Sequence, residues 1–323
     1  MKRISIFALI LSILLPTLSW AGECDNASDF TASSLAATTA NETEEEPRYY
    51  LSISTIFQNE ARWIKEWIEY HLMLGVDHFL LFDHYSDDEW ESVLAPYIEE
   101  GIVEVVNWHC LPNSHFAAQV KCYRKALELL RNQTKWIAFI DPDEFLLPIQ
   151  TDSLVDCLAD YEEFAGVVVN WKTFGTSGVP WLEPDELLIE RLTWSIEAGG
   201  FAAYEIKSIV QPRFTATCYG PHRFVFEEGH FAVDTGFNRS DKIADKPHYF
   251  TQNFLEDVLV LNHYRLRTMD WAYEVKVRRF AYWRGTSLEQ QLENIKRIDG
   301  FCTREEDLRI QRFIPKLKQR MGL

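Results

Sequence analysis

From residue 49 to residue 171, five short apolar runs alternate with segments of helical periodicity, and this alternation restricts the fold more than any other property of the chain. The runs over 51–57, 78–82, 102–107, 135–140 and 165–171 have the length and composition of buried strands. Helices are expected between them: one with an apolar face at Ile64, Trp67, Ile68 and Leu72 that Gly75 stops, then 90–99, 119–131 and 154–161. Strands and helices in this order predict a mainly parallel sheet covered by helices and joined by right-handed crossovers, an α/β fold.

The carboxyl ends of strands in such a sheet form a rim where ligands bind. Three of the runs end there in acids: Gln58-Asn59-Glu60, then Asp83 with Asp87-Asp88, then Asp141-Pro142-Asp143-Glu144 behind the apolar Lys135-Trp136-Ile137-Ala138-Phe139-Ile140. Crowded carboxylates repel one another unless a cation shares them. A hard divalent ion such as Mg²⁺ or Mn²⁺ takes oxygen ligands, commonly one or two carboxylates with substrate phosphates completing the shell. Asp-Pro-Asp therefore fits a metal–nucleotide seat. It also suits a capped turn, and strand-end acids cap helices, so the spacing alone leaves both readings open.

Composition narrows the function classes. The 323 residues are 47% hydrophobic, enough for one large core or two modest ones. A formal charge of −17 argues against a general nucleic-acid binder, which needs Lys and Arg to replace phosphate counterions. Basic residues nonetheless dominate from Arg265 onward, with Arg267, Lys276, Arg278 and Arg279 among them, and such a strip can meet a small phosphorylated ligand.

The first residues read as an address. Lys2 and Arg3, an apolar run over 4–15, Pro16 and Ser19-Trp20-Ala21 have the layout of a cleavable signal peptide over 1–21. The run is too short for a comfortable membrane span, so no stable transmembrane segment is expected after cleavage, which takes the charge from −17 to −19. Residues 22–47 lack apolar periodicity and read as a flexible tether. A folded unit over 48–285 and a basic helical segment over 286–323 complete the plan. Export, to the outside or to a secretory lumen, would permit disulfides among Cys24, Cys110, Cys122, Cys157, Cys218 and Cys302. No CxxC pair is present, zinc is disfavoured, and the pairing stays open.

Taken together, the motifs resemble glycosyltransferase family 92 and its bacterial relatives in the broad family 2 group. The similarity runs from about Ser54 to Arg279. It is carried by Asn59-Glu60 with Trp67-Ile68-Glu69-Tyr70-His71, by Leu74-Gly75-Val76-Asp77-His78-Phe79 and by Asp141-Pro142-Asp143-Glu144-Phe145. Trp171 with Phe174-Gly175-Thr176-Ser177-Gly178, Lys207-Ser208-Ile209-Val210 with Pro212, and Asn262-His263-Tyr264 extend it. Lys276 is retained, whereas Arg267-Thr268 stands where Lys-Ser is usual and Arg278-Arg279-Phe280 where Arg-Gly is expected.

The resemblance implies a GT-A-like catalytic domain that takes a nucleotide-sugar donor, a glycan or other hydroxyl acceptor, and an Mn²⁺-type ion. Asp143 is then the expected direct metal ligand, Asp141 bridges ribose or metal, and His263 is a candidate third ligand. Arg267 and Lys276 are expected at the diphosphate, and Asn59, Glu60 and Asp83 at base and ribose. Inversion requires a base on the acceptor hydroxyl, for which Glu190 and, just upstream, Asp185 are the candidates. Two other classes use the same features: a metal-dependent hydrolase or phosphodiesterase, disfavoured by the scarcity of His near Asp141, and a non-catalytic carbohydrate-binding protein.

Overall fold

The computed structural model describes residues 46–111, 114–200, 203–240 and 251–323. The expected signal peptide, nearly all of the tether and Cys24 lie outside the described residues. Among those described, the main sheet has nine strands, numbered here in chain order. Strands β1 (Tyr49–Phe57), β2 (His78–Asp83), β3 (Val103–Asn107) and β4 (Thr134–Phe139) pair in parallel in the order β3-β2-β1-β4. Their crossovers are helices α1 (Ala61–Met73), α2 (Trp90–Glu99) and α3 (His115–Leu130). β2 is buried at every position, as an apolar run between helical layers must be.

Beyond β4 the sheet becomes mixed. It continues through β7 (Ile206–Val210), β6 (Gly166–Thr173), β9 (Leu259–His263) and β5 (Glu144–Pro148), with β8 (Ala232–Asp234) beside β6. β7 runs antiparallel to both β4 and β6, and β9 is parallel to β6 but antiparallel to β5. The architecture is the mixed, mainly parallel, helix-flanked sheet expected. Strand β5 was not among the expected elements; it starts within the acidic cluster itself and is followed by the short helix α4 (Leu154–Ala159).

β5 ends one side of the sheet, and its free edge is closed by side chains of α1. Trp67 Nε1 donates to the Glu144 carbonyl at 2.8 Å and Tyr70 Oη to the Leu146 carbonyl at 3.0 Å. The Leu146 N–H meets His71 Nε2 at 3.3 Å, while His71 Nδ1 lies 2.8 Å from the Trp67 carbonyl. Burial holds the His71 ring neutral, with its pKa lowered to about 3, so Nδ1 carries the proton and Nε2 accepts. An edge whose backbone groups are satisfied in this way offers no template for another strand.

The C-terminal part wraps this frame. A π-helical turn over Trp271–Lys276 leads into α6 (Val277–Arg284), followed by α7 (Leu288–Phe301) and α8 (Ile314–Met321). Asp299 of α7 clamps the glycine loop: its carboxylate accepts from the Thr176 N–H at 2.7 Å and from Thr176 Oγ1 at 2.8 Å. Gly175 is required there, since a Cβ would come within 2.5 Å of Asp299 Oδ1. Lys172 of β6 is buried against Glu305 at 2.8 Å, Asp307 at 3.1 Å and Glu256 at 3.3 Å. Among the described residues Cys122, Cys157, Cys218 and Cys302 are free thiols. Among the described residues no helix is long and apolar enough to cross a membrane.

Candidate active site

The fold explains how distant segments meet. β9 pairs with β5 in the register His263 opposite Glu144, and the Tyr264 N–H donates to the Asp143 carbonyl at 2.8 Å. That register sets His263 Nε2 3.5 Å from Asp143 Oδ1. The imidazole also packs on Trp171 of β6, ring centroids 4.5 Å apart. A cavity of about 290 Å³ opens at this rim, lined by the ends of β1, β4 and β9, by Trp171 and Glu205, and by α6.

The three acids behind the fourth apolar run have separate environments. Asp141 accepts from Lys207 Nζ at 2.7 Å and from Gln119 Nε2 at 2.8 Å. Burial opposes its ionisation, but Lys207 more than offsets this and holds the carboxyl below its usual range. Asp143 is held lower still: burial is again outweighed, here by Lys276 at 3.3 Å and by His263. Glu144 differs from both. It is fully buried, accepts from the Asp141 N–H at 2.7 Å and lies 3.4 Å from Lys207. Burial, aided by the neighbouring aspartates, drives its pKa well up despite Lys207, so of the three acids it gives up its proton least readily. The Lys207 ammonium thus balances Asp141 ahead of Glu144.

Burial lowers the His263 pKa against the pull of Asp143, and a neutral imidazole beside an ionised carboxylate is a competent pair of metal ligands. Among the described residues no three His, Cys, Asp or Glu side chains gather around one point. The residues fit an ion that takes two protein ligands and fills its other positions from a bound diphosphate and water. Lys276 stands on the other Asp143 oxygen, its pKa lowered by burial to about 8 and still mostly charged at neutral pH.

Glu60, Arg267 and Arg279 also line the cavity. Arg267 is 2.5 Å from Glu60, and Arg279 is 3.8 Å from it while donating to the Gln58 carbonyl at 3.1 Å. Arg267 is buried between Trp63 and Trp271, with a positive φ of 55° that a non-glycine residue adopts only when its surroundings impose it. Arg267 is therefore held by protein partners even though it lines the cavity.

Four expected site residues are not brought to this cavity. Asn59 sits at φ 56° and accepts from the Asp87 N–H at 2.8 Å, so its side chain closes a turn. Asp83 is buried, accepting from the Ser86 N–H and lying 3.0 Å from His109 Nε2. Glu190, on the short helix α5 (Leu188–Arg191), is ion-paired with Lys318 of α8 at 2.6 Å. Asp185 is exposed in the preceding loop. Neither Glu190 nor Asp185, the two candidate bases, lines this cavity. Arg265, the first residue of the basic strip, also lines it, and residues present there that the sequence did not single out include Glu205, His115 and Trp283, the last two stacked with centroids 4.6 Å apart.

A model of glycosyltransferase family 92 matches residues 48–289, which span every element just described around the cavity. The chain belongs to that family. A family 92 protein of Ricinus communis is 26% identical over 266 residues, 80% of this chain and 43% of that protein. A galactan β-1,4-galactosyltransferase of Arabidopsis thaliana is 31% identical over 109 residues, 31% of this chain and 22% of that protein. The chain thus spans less than half the length of these curated relatives. Residues 1–349 of S. aureus TarS align at 12% identity and a TM-score of 0.37, over 83% of this chain and 73% of that one, too distant a likeness to transfer any role. The family 92 match takes in Lys276 and Arg279 but leaves out most of α7 and all of α8.

Proposed function

We propose that this protein is a glycosyltransferase that moves a sugar from a nucleotide-diphosphate sugar to a hydroxyl of a glycan or other acceptor, with inversion at the anomeric carbon. The observation that carries this reading is the convergence in one cavity of the Asp143–His263 pair with Lys276, Arg265, Arg267 and Arg279. Cleaving a sugar–diphosphate bond leaves growing negative charge on the departing oxygens, and preorganised cations stabilise it more in the transition state than in the ground state. Asp143 and His263 would hold Mn²⁺ or Mg²⁺, which when bound supplies Lewis-acid stabilisation of the diphosphate. Lys276 would steady Asp143 and face the same phosphates. Lys207 keeps Asp141 ionised, as a carboxylate that accepts from ribose hydroxyls or metal-bound water must be. Glu60 would hold Arg267 and Arg279 in the cavity, where they would meet the nucleotide.

The name of the Arabidopsis relative supports galactose as the first sugar to test, as its UDP ester. The leader-like residues 1–21 support work outside the cytosol, in a secretory lumen or after secretion. The test is release of nucleotide from a panel of nucleotide-diphosphate sugars, with and without Mn²⁺ and with and without acceptor sugars. Mn²⁺-dependent release that rises with an acceptor is the expected result. Release at the same rate in the absence of any acceptor would replace transfer with hydrolysis, and no release from any donor would remove the enzyme reading.

A further inference from the structure

The proposed transfer needs a group to take the acceptor's proton, and the cavity contains one carboxylate with no other task. Four acids line it among the described residues: Glu60, Asp141, Asp143 and Glu205. The first three are bound to Arg267, Lys207 and Lys276 respectively. The cations hold Asp141 and Asp143 below the usual carboxylate range and so make them weak bases, whereas burial raises the Glu60 pKa despite Arg267 and that carboxylate is set aside because Arg267 and Arg279 each face one of its oxygens. Glu205 makes no side-chain hydrogen bond or ion pair with the described residues. It precedes β7 at the rim, and its carbonyl accepts from the Trp171 N–H at 2.9 Å, which fixes it beside the ring that packs on His263.

We infer that Glu205 is the general base, the residue that removes the proton from the acceptor hydroxyl in this reaction. The inference rests on the glycosyltransferase reading above. The acceptor O–H proton passes to the Glu205 carboxylate as the acceptor oxygen bonds to the anomeric carbon. The bond from that carbon to the diphosphate breaks, and its electron pair leaves with the nucleoside diphosphate. Burial raises the Glu205 pKa, opposed by Arg265 and Lys207, the charged groups that face it, so the carboxylate is more basic than a surface glutamate. Its protonation at low pH should set the acid limb of the rate profile.

The test compares wild type, Glu205→Gln, Glu205→Asp, His115→Gln and Asp143→Asn in the full chain, with the best donor and acceptor from the screen. Glu205→Gln should lower kcat by ~10²–10⁴-fold, remove the acid limb of the pH–kcat profile, and leave UDP affinity by calorimetry and the thermal midpoint near wild type. Glu205→Asp should restore part of kcat together with the acid limb. Wild-type turnover in Glu205→Gln, or a UDP affinity that falls as much as kcat, would overturn the assignment. A retained acid limb in Glu205→Gln that disappears in His115→Gln would give the proton to the histidine instead. If the wild type turns over, Asp143→Asn does not and Glu205→Gln does, only the base assignment fails. If the wild type releases no nucleotide from any donor, the function itself fails.

Discussion

Replacing Lys207 by methionine isolates the charge balance on which the proposed site depends. The lysine side chain is 2% exposed, with Asp141 at 2.7 Å and Glu144 at 3.4 Å. At an effective dielectric of 20, a pair 2.7 Å apart is worth roughly 6 kcal/mol of direct attraction, part of which offsets the desolvation of both ions. Removing one partner of a buried pair typically destabilises by about 3–5 kcal/mol, because the other charge is left uncompensated. Because the Asp141 side chain left behind is 31% exposed and partly solvated, Lys207→Met should fall at the low end of that range, losing about 3 kcal/mol at pH 7, read as a drop of roughly 1 M in the urea midpoint. Asp141→Asn should be far milder, since Glu144 can ionise and take over the ammonium. The double variant should recover about 2 kcal/mol relative to Lys207→Met, a coupling within the range of contacting residues. Equilibrium urea unfolding followed by tryptophan fluorescence measures all four proteins. A loss under about 1 kcal/mol in Lys207→Met, or a double variant no more stable than it, would refute the reasoning.

The other predictions concern the ion, the fold's pH response and the boundary. Asp143→Asn should abolish Mn²⁺-dependent turnover while keeping a cooperative melt, and wild-type turnover across an Mn²⁺ titration would count against it. His263→Ala should raise the Mn²⁺ concentration for half activity and flatten the fall in metal affinity at low pH, because only the unprotonated ring binds metal; an unchanged titration removes His263 from the ligand set. Glu66 is buried, accepts from the Leu188 and Ile189 N–H groups, and has its pKa raised by burial to about 7. The folded state therefore holds its proton more tightly than the unfolded state does. The resulting stability is full below the unfolded value near 4.5, and about 3 kcal/mol of it is lost as pH rises through 7. Glu66→Gln should remove that decline from a pH series of unfolding curves; an unaltered slope contradicts it. A chain starting at Pro47 should unfold cooperatively with the midpoint of the full chain, and loss of the transition would move the boundary upstream.

The first four strands were legible because each is an apolar run bounded by polar residues, and a strand between two helical layers needs nothing else. β5 was hidden because Glu144-Phe145-Leu146-Leu147-Pro148 follows the fourth run after only a short turn, and its leading glutamate reads as a rim acid. Its partner lies far along the chain, and no local pattern encodes an antiparallel register. The approach of His263 to Asp143 was anticipated through the resemblance and not from spacing. Asn59 and Asp83 are strand-end polar residues of the kind expected at a rim, but such residues also close turns, and here turn hydrogen bonds engage them. Glu205 has no motif around it. It becomes visible only when the partners of every other acid in the cavity are known.

The position of β9 between β6 and β5 also bears on how the molecule is made. A chain emerging from its N-terminus can complete β3-β2-β1-β4 through sequential crossovers, but β5 must wait for a strand synthesised much later. Until β9 arrives, β5 has helices against it but no strand beside it, and an open apolar seam separates it from β6, a surface that invites aggregation and the attention of chaperones. The Asp143–His263 pair closes with the same event, so donor-handling capacity should appear late in folding and all at once.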